Sequence, residues 1–352
     1  MPRVLPVTTT LSLALMNHPL VPGILGDGWP TWRFRRAVAP CASDCWTCPG
    51  RCARRSGASV CFRSVMPQPE GGLALATQTI IITGSTQGLG LGYAREFLRR
   101  GHQVIVTGRD SVRVQSAIAR LAAECPGSEA RIAGTACDVS QLSSVQALWD
   151  FAVSRFGRID IWLNNAGFAR TGAQFADNTV GEIESMVRSN VIGSINAAQV
   201  AIAGFKRQGG GTLYLTLGGG GATGRVVPGM TVYSTTKRAV KYLANCLVKE
   251  RKDERDESIL IGTISPGINI TEGMIREMRA LPSERRAKAL KQLSFIGEHV
   301  ETTTPWIVER ILADKKQGHD ITWLTTGRMA GRALSMLFGS RRDVLSRYSF
   351  EA

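Results

Sequence analysis

The chain has 352 residues, 43% of them apolar and 20% charged, with a formal net charge of +15. That composition suits one large α/β domain or two small ones and excludes a fibrous or wholly disordered protein. The best early candidate for a spanning helix, Leu11 to Leu25, is broken by Asn17, His18 and Pro19, short of the roughly 18 apolar residues a span needs, so the protein reads as soluble or peripheral.

Residues 1–76 read as an Arg- and Cys-rich leader without sustained hydrophobic periodicity, either disordered or a removable transit peptide. Met66 offers an alternative start, which would make residues 1–65 an artefact of gene structure and the protein cytoplasmic instead of plastid-targeted. Residues 1–69 hold eight arginines, no lysine and two acids, so much of the positive charge sits there. No basic stripe interleaved with stacking aromatics is visible, and nucleic acid is not expected as a partner. Cys41, Cys45, Cys48 and Cys52 are spaced closely enough to converge on a metal ion, but the spacing matches no common site, and no metal is expected.

From Thr77 the texture changes. An apolar, β-branched run at Thr79–Thr83 predicts a strand, a glycine-rich turn follows, and Gly90–Arg100 has helical spacing before a second strand at Gln103–Thr107. The alternation continues with Ser111–Cys125 helical, Arg131–Cys137 strand, Gln141–Phe156 helical, Ile159–Asn164 strand and Thr179–Lys206 helical. Gly211–Leu217 then reads as a strand, Tyr233–Arg251 as a helix and Ser258–Ile264 as a strand. This pattern predicts an α/β fold: a Rossmann-type, doubly wound parallel sheet of about seven strands flanked by helices, forming a single domain over 77–322 with a C-terminal extension over 323–352.

Thr83-Gly84-Ser85-Thr86-Gln87-Gly88-Leu89-Gly90 lies between the first strand and the first helix, where glycines permit a tight turn and close approach of backbone to a pyrophosphate. The second strand ends Thr107-Gly108-Arg109. A carboxylate there would bind the ribose hydroxyl of NAD. Gly108 removes it and Arg109 offers a guanidinium to the extra phosphate of NADP, so NADPH/NADP+ is preferred over NAD. Tyr233 and Lys237 stand four residues apart and share a helix face. An ammonium beside a phenol would lower its pKa and ready it to give a proton to a carbonyl.

Thr83–Gly90, Asp138-Val139, Asn164-Asn165-Ala166-Gly167, Asn190, Tyr233-Ser-Thr-Thr-Lys237 and Ser265-Pro266-Gly267 occur in that order. The set resembles the short-chain dehydrogenase/reductase family from Thr77 to about Ile270. The resemblance implies an NAD(P)-dependent oxidoreductase acting between hydroxyl and carbonyl groups. It further implies Asp138 and Val139 beside the adenine, with Asn165, Ala166, Gly167, Pro266 and Gly267 along the cofactor. Asn190 would anchor a water in the proton relay, Tyr233 would be the general acid and Lys237 its partner, which also holds the nicotinamide ribose. The family usually carries a serine about a dozen residues before the tyrosine, yet no serine stands between Tyr214 and Val232. Thr223, or backbone N–H groups of the run Gly218-Gly219-Gly220-Gly221, would have to polarise the carbonyl instead.

The run from Asn190 to Val200, the segment Gly209–Tyr233, Phe295–Ile311 and Ile321-Thr-Trp-Leu-Thr with its basic tail resemble chlorophyll(ide) b reductases, some members of which carry a serine aligned with Ala222. This implies reduction of the 7-formyl group of chlorophyll(ide) b to hydroxymethyl. A reductase of another bulky carbonyl, such as a steroid or lipid ketone, and a non-catalytic cofactor-binding scaffold are the alternatives. Residues 268–295, with Met274, Ile275, Met278 and Leu281, are expected to form a lid over an apolar slot. The helices at 179–206 and 233–251 would pair in a homo- or hetero-oligomer. The stretch Thr326–Phe338 sets Met329, Leu334, Met336, Leu337 and Phe338 beside Arg328, Arg332, Arg341 and Arg342, and reads as a packed surface helix that would also suit peripheral membrane contact.

Overall fold

A computed structural model describes residues 76–172, 174–337 and 342–350. The leader, Met66 and the early cysteines lie outside the described residues, as do Phe338 and Arg341. Nine strands are described: β1 (Thr79–Ile82), β2 (Gln103–Gly108), β3 (Ile132–Ala136), β4 (Ile161–Asn164), β5 (Gly211–Thr216), β6 (Ile259–Ser265), β7 (Ile268–Ile270), β8 (Gly297–His299) and β9 (Asp320–Thr322). The helices are α1 (Gly88–Arg99), α2 (Ser111–Glu124), α3 (Leu142–Phe156), α4 (Val180–Val187), α5 (Gly193–Gln208), α6 (Thr231–Asp253), α7 (Glu272–Ala280), α8 (Ser283–Ile296), α9 (Val300–Ala313) and α10 (Thr326–Leu337).

Seven strands form one parallel sheet in the order β3-β2-β1-β4-β5-β6-β9. The chain winds outward from β1 in one direction and then, from β4, in the other, so the carboxyl ends of β1 and β4 flank the point where the direction reverses, the crevice in which such sheets bind ligands. Strands buried on both faces must be apolar throughout, which is why Ile80, Ile81 and Ile82 form an unbroken run and are all fully buried. One face of the sheet carries Trp149, Trp162 and Phe205, with the two indoles stacked at 6.2 Å. The other carries Tyr93, Phe97 and Leu121 and is closed by Ile307, Val308 and Ile311 of α9. Helix α1 approaches α9 closely at Gly92, where a Cβ would fall 2.5 Å from Val300 Cγ1.

Where the sequence predicts one helix over 179–206, the structure has two. Helix α4 starts in a capping box of Thr179 and Glu182, and it meets α5 through a widened π-helical turn at Arg188–Ile192 that contains Asn190. A π turn inserts a residue without changing periodicity enough for hydropathy to register it.

The C-terminal part also differs from expectation. Met278 is buried, and Met274 and Ile275 pack with Ile270, Leu293, Val344 and Tyr348 in a small satellite core, so most of the apolar side of α7 faces the C-terminal tail and not an open slot. Helix α10 forms where the basic amphipathic segment was read, with its arginines directed inward. The Arg328 guanidinium sits 3.7 Å from the Trp323 ring and 4.4 Å from that of Trp306, while Arg332 and Arg342 both bind Glu298, at 2.7 and 2.8 Å. Leu334 and Leu337 point outward at 54% and 81% exposure. Among the described residues no helix is long and apolar enough to cross a membrane.

Candidate active site and cofactor cleft

The carboxyl ends of β1, β2 and β4 open into a cavity of about 650 Å³. Its floor is the turn from β1 to α1. Gly84 and Gly88 adopt positive φ (66° and 57°), and a Cβ at Gly90 would lie 2.3 Å from the Gly84 carbonyl oxygen, so side chains are excluded where the chain crosses itself. Gly84, Thr86, Gln87, Gly88, Leu89 and Gly90 line the cavity, and the N-terminus of α1 points into it. The turn is tied to β4 by Thr83, whose hydroxyl accepts from the N–H groups of Asn165 and Ala166, both at 3.0 Å, while Asn165 Nδ2 donates to the carbonyls of Thr83 and Gly84.

Ser85 departs from its expected place. It is fully buried, donates to the Ile82 carbonyl at 2.6 Å and accepts from the Thr107 N–H at 2.9 Å, so it fastens β1 to β2 beneath the cleft. Pro266 and Gly267 stand just outside the residues that line this cavity, as Tyr233 and Lys237 also do. The Pro266 carbonyl accepts from Asn269, and a Cβ at Gly267 would meet Leu324 and Trp323. They shape the passage from β6 to β7, beyond which Thr271, Gly273 and Arg276 reach the cavity.

At the end of β2, Gly108 packs against Thr86, and a Cβ there would lie 2.8 Å from Thr86 Cγ2. Arg109 lines the cavity together with Arg113. The sequence reading missed Arg113. Its signal is Asp110, the N-cap of α2, whose carboxylate accepts from the N–H groups of Val112 and Arg113 and turns the first helical residues toward the cleft. Asp138, Val139 and Gly167 also line the cavity.

Beyond the cavity, Tyr233 and Lys237 project from the first turns of α6. The Lys237 ammonium is fully buried, donates to the Thr216 carbonyl at 2.9 Å and lies 5.9 Å from the Tyr233 ring centroid. It also approaches Gly167, where a Cβ would stand 3.4 Å from its Nζ. Burial pushes the Tyr233 phenol up to about 12, with the nearby Glu277 carboxylate adding to the effect. Burial also pushes Lys237 down to about 8. The expected lowering of the phenol's pKa by the lysine is not what the chain by itself shows: removal from water favours the neutral form of each group, the phenol standing above and the ammonium below its ordinary value. Asn190 is fully buried with its amide saturated: its oxygen accepts from the Phe168 N–H, and its nitrogen donates to the Phe168 carbonyl and Thr236 Oγ1. It thus locks the strand-end segment 167–168 to α6 beside the tyrosine.

The glycine run is a collar round Tyr233. A Cβ at Gly218 would lie 2.5 Å from Tyr233 Oη, one at Gly219 2.8 Å from the ring, and one at Gly221 2.8 Å from Lys237. The N–H groups of Gly221 and Gly224 are used within the turn, bonding the carbonyls of Gly218 and Gly220. Thr223 does not stand in for the serine. It is exposed, and its hydroxyl accepts from the Arg225 N–H. Ala222 packs on the core beneath. Opposite the collar, Gly172 donates to the Gly229 carbonyl and abuts Leu281, and Thr171 donates to Glu277, so the segment after β4, the approach to α6 and helix α7 meet beside the tyrosine.

A sheet that reverses at a glycine-lined cradle, next to a half-buried tyrosine and a buried lysine, defines a Rossmann oxidoreductase that binds a nicotinamide dinucleotide and moves a proton alongside a hydride. Residues 78–280 match the family model described as short chain dehydrogenase, and the chain belongs to the short-chain dehydrogenase/reductase family as an NAD(P)-dependent oxidoreductase. It is 28% identical over 312 residues to a chloroplastic chlorophyll(ide) b reductase of Oryza sativa subsp. japonica, covering 84% of this chain and 89% of that one. It is 32% identical over 265 residues to a chloroplastic protein of Arabidopsis thaliana named a probable chlorophyll(ide) b reductase; this covers 72% of the chain but spans only about half, 51%, of that relative. Among solved structures, levodione reductase superimposes with a TM-score of 0.63 at 24% identity, over 72% of this chain and 98% of that one, which supports the fold.

Proposed function

We propose that the chain is an NADPH-dependent reductase of the 7-formyl group of chlorophyll(ide) b, giving the hydroxymethyl product. The observation that carries the substrate reading is the similarity to the rice reductase, which extends over 84% of the chain, well past the family-wide segment 78–280. The choice of NADPH rests on Gly108, which leaves no carboxylate at the end of β2, and on the two guanidinium groups of Arg109 and Arg113 in the cleft wall. The cofactor supplies a hydride to the carbonyl carbon.

In this reading the pyrophosphate lies on the turn Gly84–Gly90 and the N-terminus of α1. Asp138 and Val139 border the adenine, and Gly167 and Lys237 adjoin the nicotinamide ribose. Tyr233 gives its phenolic proton to the carbonyl oxygen as negative charge develops there. Lys237 compensates the phenolate that results, a role that calls for an ammonium, and a ribose held beside it would supply polar contacts that favour that form. Asn190 holds the segment behind the tyrosine. The collar Gly218–Gly221 lets the reacting carbonyl approach Tyr233 Oη without a side chain between them. Exposed apolar side chains on α4 and α5 (Val187, Ile195) and on α6 (Tyr242) support pairing of these helices in a dimer, which light scattering tests by mass. The relatives' chloroplastic location supports a plastid site for this protein.

The test is incubation of the protein with NADPH and chlorophyllide b followed by chromatography of the pigments. The hydroxymethyl product is expected, and it should form far more slowly with NADH. Turnover of a steroid or lipid ketone in its place would favour the alternative substrate, and cofactor binding without turnover of any carbonyl would favour a scaffold.

A further inference from the structure

We propose that Arg276, on α7, holds the cofactor's pyrophosphate from the wall of the cleft that faces the glycine turn. The inference rests on the reading that lays the pyrophosphate on Gly84–Gly90 and adds to it a cation from a helix outside the family's ordered motifs. Arg276 lines the same cavity of about 650 Å³ as Gly84, Gln87, Gly88 and Gly90, but reaches it from the segment after β7. That segment is in contact with the turn itself. A Cβ at Gly88 would stand 3.3 Å from Thr271 Cγ2, so the N-cap of α7 rests against a residue whose positive φ shapes the cradle. Thr271 Oγ1 accepts from the Met274 N–H at 3.2 Å and starts the helix there. Arg276 Nη2 lies 3.9 Å from where a Cβ of Gly273 would be, so the guanidinium folds back over the first turn of α7, where Thr271 and Gly273 also line the cavity.

The surrounding charges leave Arg276 available to an anion. The acids on its own helix are engaged elsewhere, Glu272 with Arg120 at 3.7 Å and Glu277 with Thr171 at 2.7 Å. Asp110 and Asp138, the two carboxylates that line the cavity, accept from backbone N–H groups of their own turns. Among the described residues the side chains of Arg109, Arg113 and Arg276 make no hydrogen bond or ion pair. Arg279, three residues further along α7, instead donates from Nε and Nη2 to the Ser349 carbonyl, at 3.0 and 2.6 Å, and fastens the helix to the C-terminal tail. Unpaired guanidiniums therefore face one cleft from two walls: Arg109 and Arg113 from the end of β2 and the start of α2, Arg276 from beside the turn. The N-terminus of α1 offers about half an elementary charge, less than the charge of a pyrophosphate bridge, and a guanidinium fork opposite it supplies the rest.

The test titrates the full chain with NADPH and, separately, with NADH, followed by nicotinamide fluorescence. Arg276→Ala is expected to raise both Kd values by about 10-fold or more and by similar factors, because the two cofactors share the pyrophosphate. Arg276→Lys, which keeps the charge and loses the fork, should recover part of that affinity. Adenosine 2′-phosphate, which has no pyrophosphate, should bind the variant and the wild type alike in calorimetry. Since Arg276 bonds to nothing in the chain, cofactor-free Arg276→Ala should also unfold at the wild-type temperature, and a clear fall there would assign it a structural role and overturn the inference. A loss confined to NADPH, or shared by adenosine 2′-phosphate, would move Arg276 to the ribose phosphate, and unchanged Kd values would leave it to an anionic group on the substrate; either result overturns the inference. A wild type that binds neither cofactor overturns instead the reading on which it rests.

Discussion

The cofactor cleft and the substrate side of Tyr233 are assembled in different ways. The cleft is made from chain segments that follow one another, a strand, its turn and the next helix, and its shape depends on backbone conformation at Gly84, Gly88 and Gly90. The substrate side is made from segments far apart in sequence, the segment after β4, the glycine collar after β5 and α7, held together by a few side chains such as Thr171 and Glu277. Behind α7 stands a further layer, the tail and α10, locked by Arg332, Arg342 and Glu298. One region can therefore bind a shared cofactor across a large family, while the other can change its substrate by exchanging side chains without disturbing the first.

The sharpest way to separate the two regions is Tyr233→Phe. Turnover should fall by about 10²- to 10⁴-fold, the usual contribution of a general acid, while NADPH binding followed by calorimetry stays within error of wild type. A matching loss of cofactor affinity would show that the regions are not separable. Glu298→Ala leaves two half-buried guanidinium groups without their shared carboxylate, though still bonded to the carbonyls of Ile296, Phe295 and Gly297, and should cost about 1–3 kcal/mol of stability in denaturant unfolding. If the layers behave as described, the folded fraction retains its NADPH affinity.

Within the cleft, Arg109→Ala and Arg113→Ala should each raise the Kd for NADPH by about 10- to 100-fold, the value of a charge-assisted bond, and leave that for NADH unchanged. An equal loss for both cofactors would place the guanidiniums on a phosphate that NAD shares. The smallest effect is expected from Gly218→Ser, which supplies a hydroxyl at the collar. Because its Cβ would stand 2.5 Å from Tyr233 Oη, kcat should fall a few-fold and not rise. An increase would mean that the collar is a lost serine and not a fitted surface.

The same contrast decides what could be read before the fold was known. The unit from β1 to β2, the strand end at Gly108-Arg109 without a carboxylate and the pair Tyr233 and Lys237 are legible because each depends on spacing within a few residues. Ser85 was misread because composition marks a polar turn but not which side chain returns into the sheet. Pro266 and Gly267 were expected along the cofactor, and they steer the chain toward Thr271 and Arg276, which reach the cleft. Arg113 was hidden one helical turn beyond the motif. Glu277 had no signal at all, since Thr171 lies 106 residues away. Helix α10 was found, but the orientation of its faces was not: hydropathy favours an inward apolar face, and here Trp306, Trp323 and Glu298 give the arginines better partners inside.

The seam at Gly92 bears on where this chain can be cut. With a Cβ there 2.5 Å from Val300 and 2.9 Å from Thr304, α1 and α9 meet almost backbone to backbone, and α1 is the helix whose N-terminus forms the anion cradle. A fragment ending near residue 280, where family-wide similarity stops, would leave that flank of α1 bare and expose Phe97 and Leu98. The smallest portable unit that still grips a dinucleotide should therefore run through β9, and tags or fusion partners belong after it.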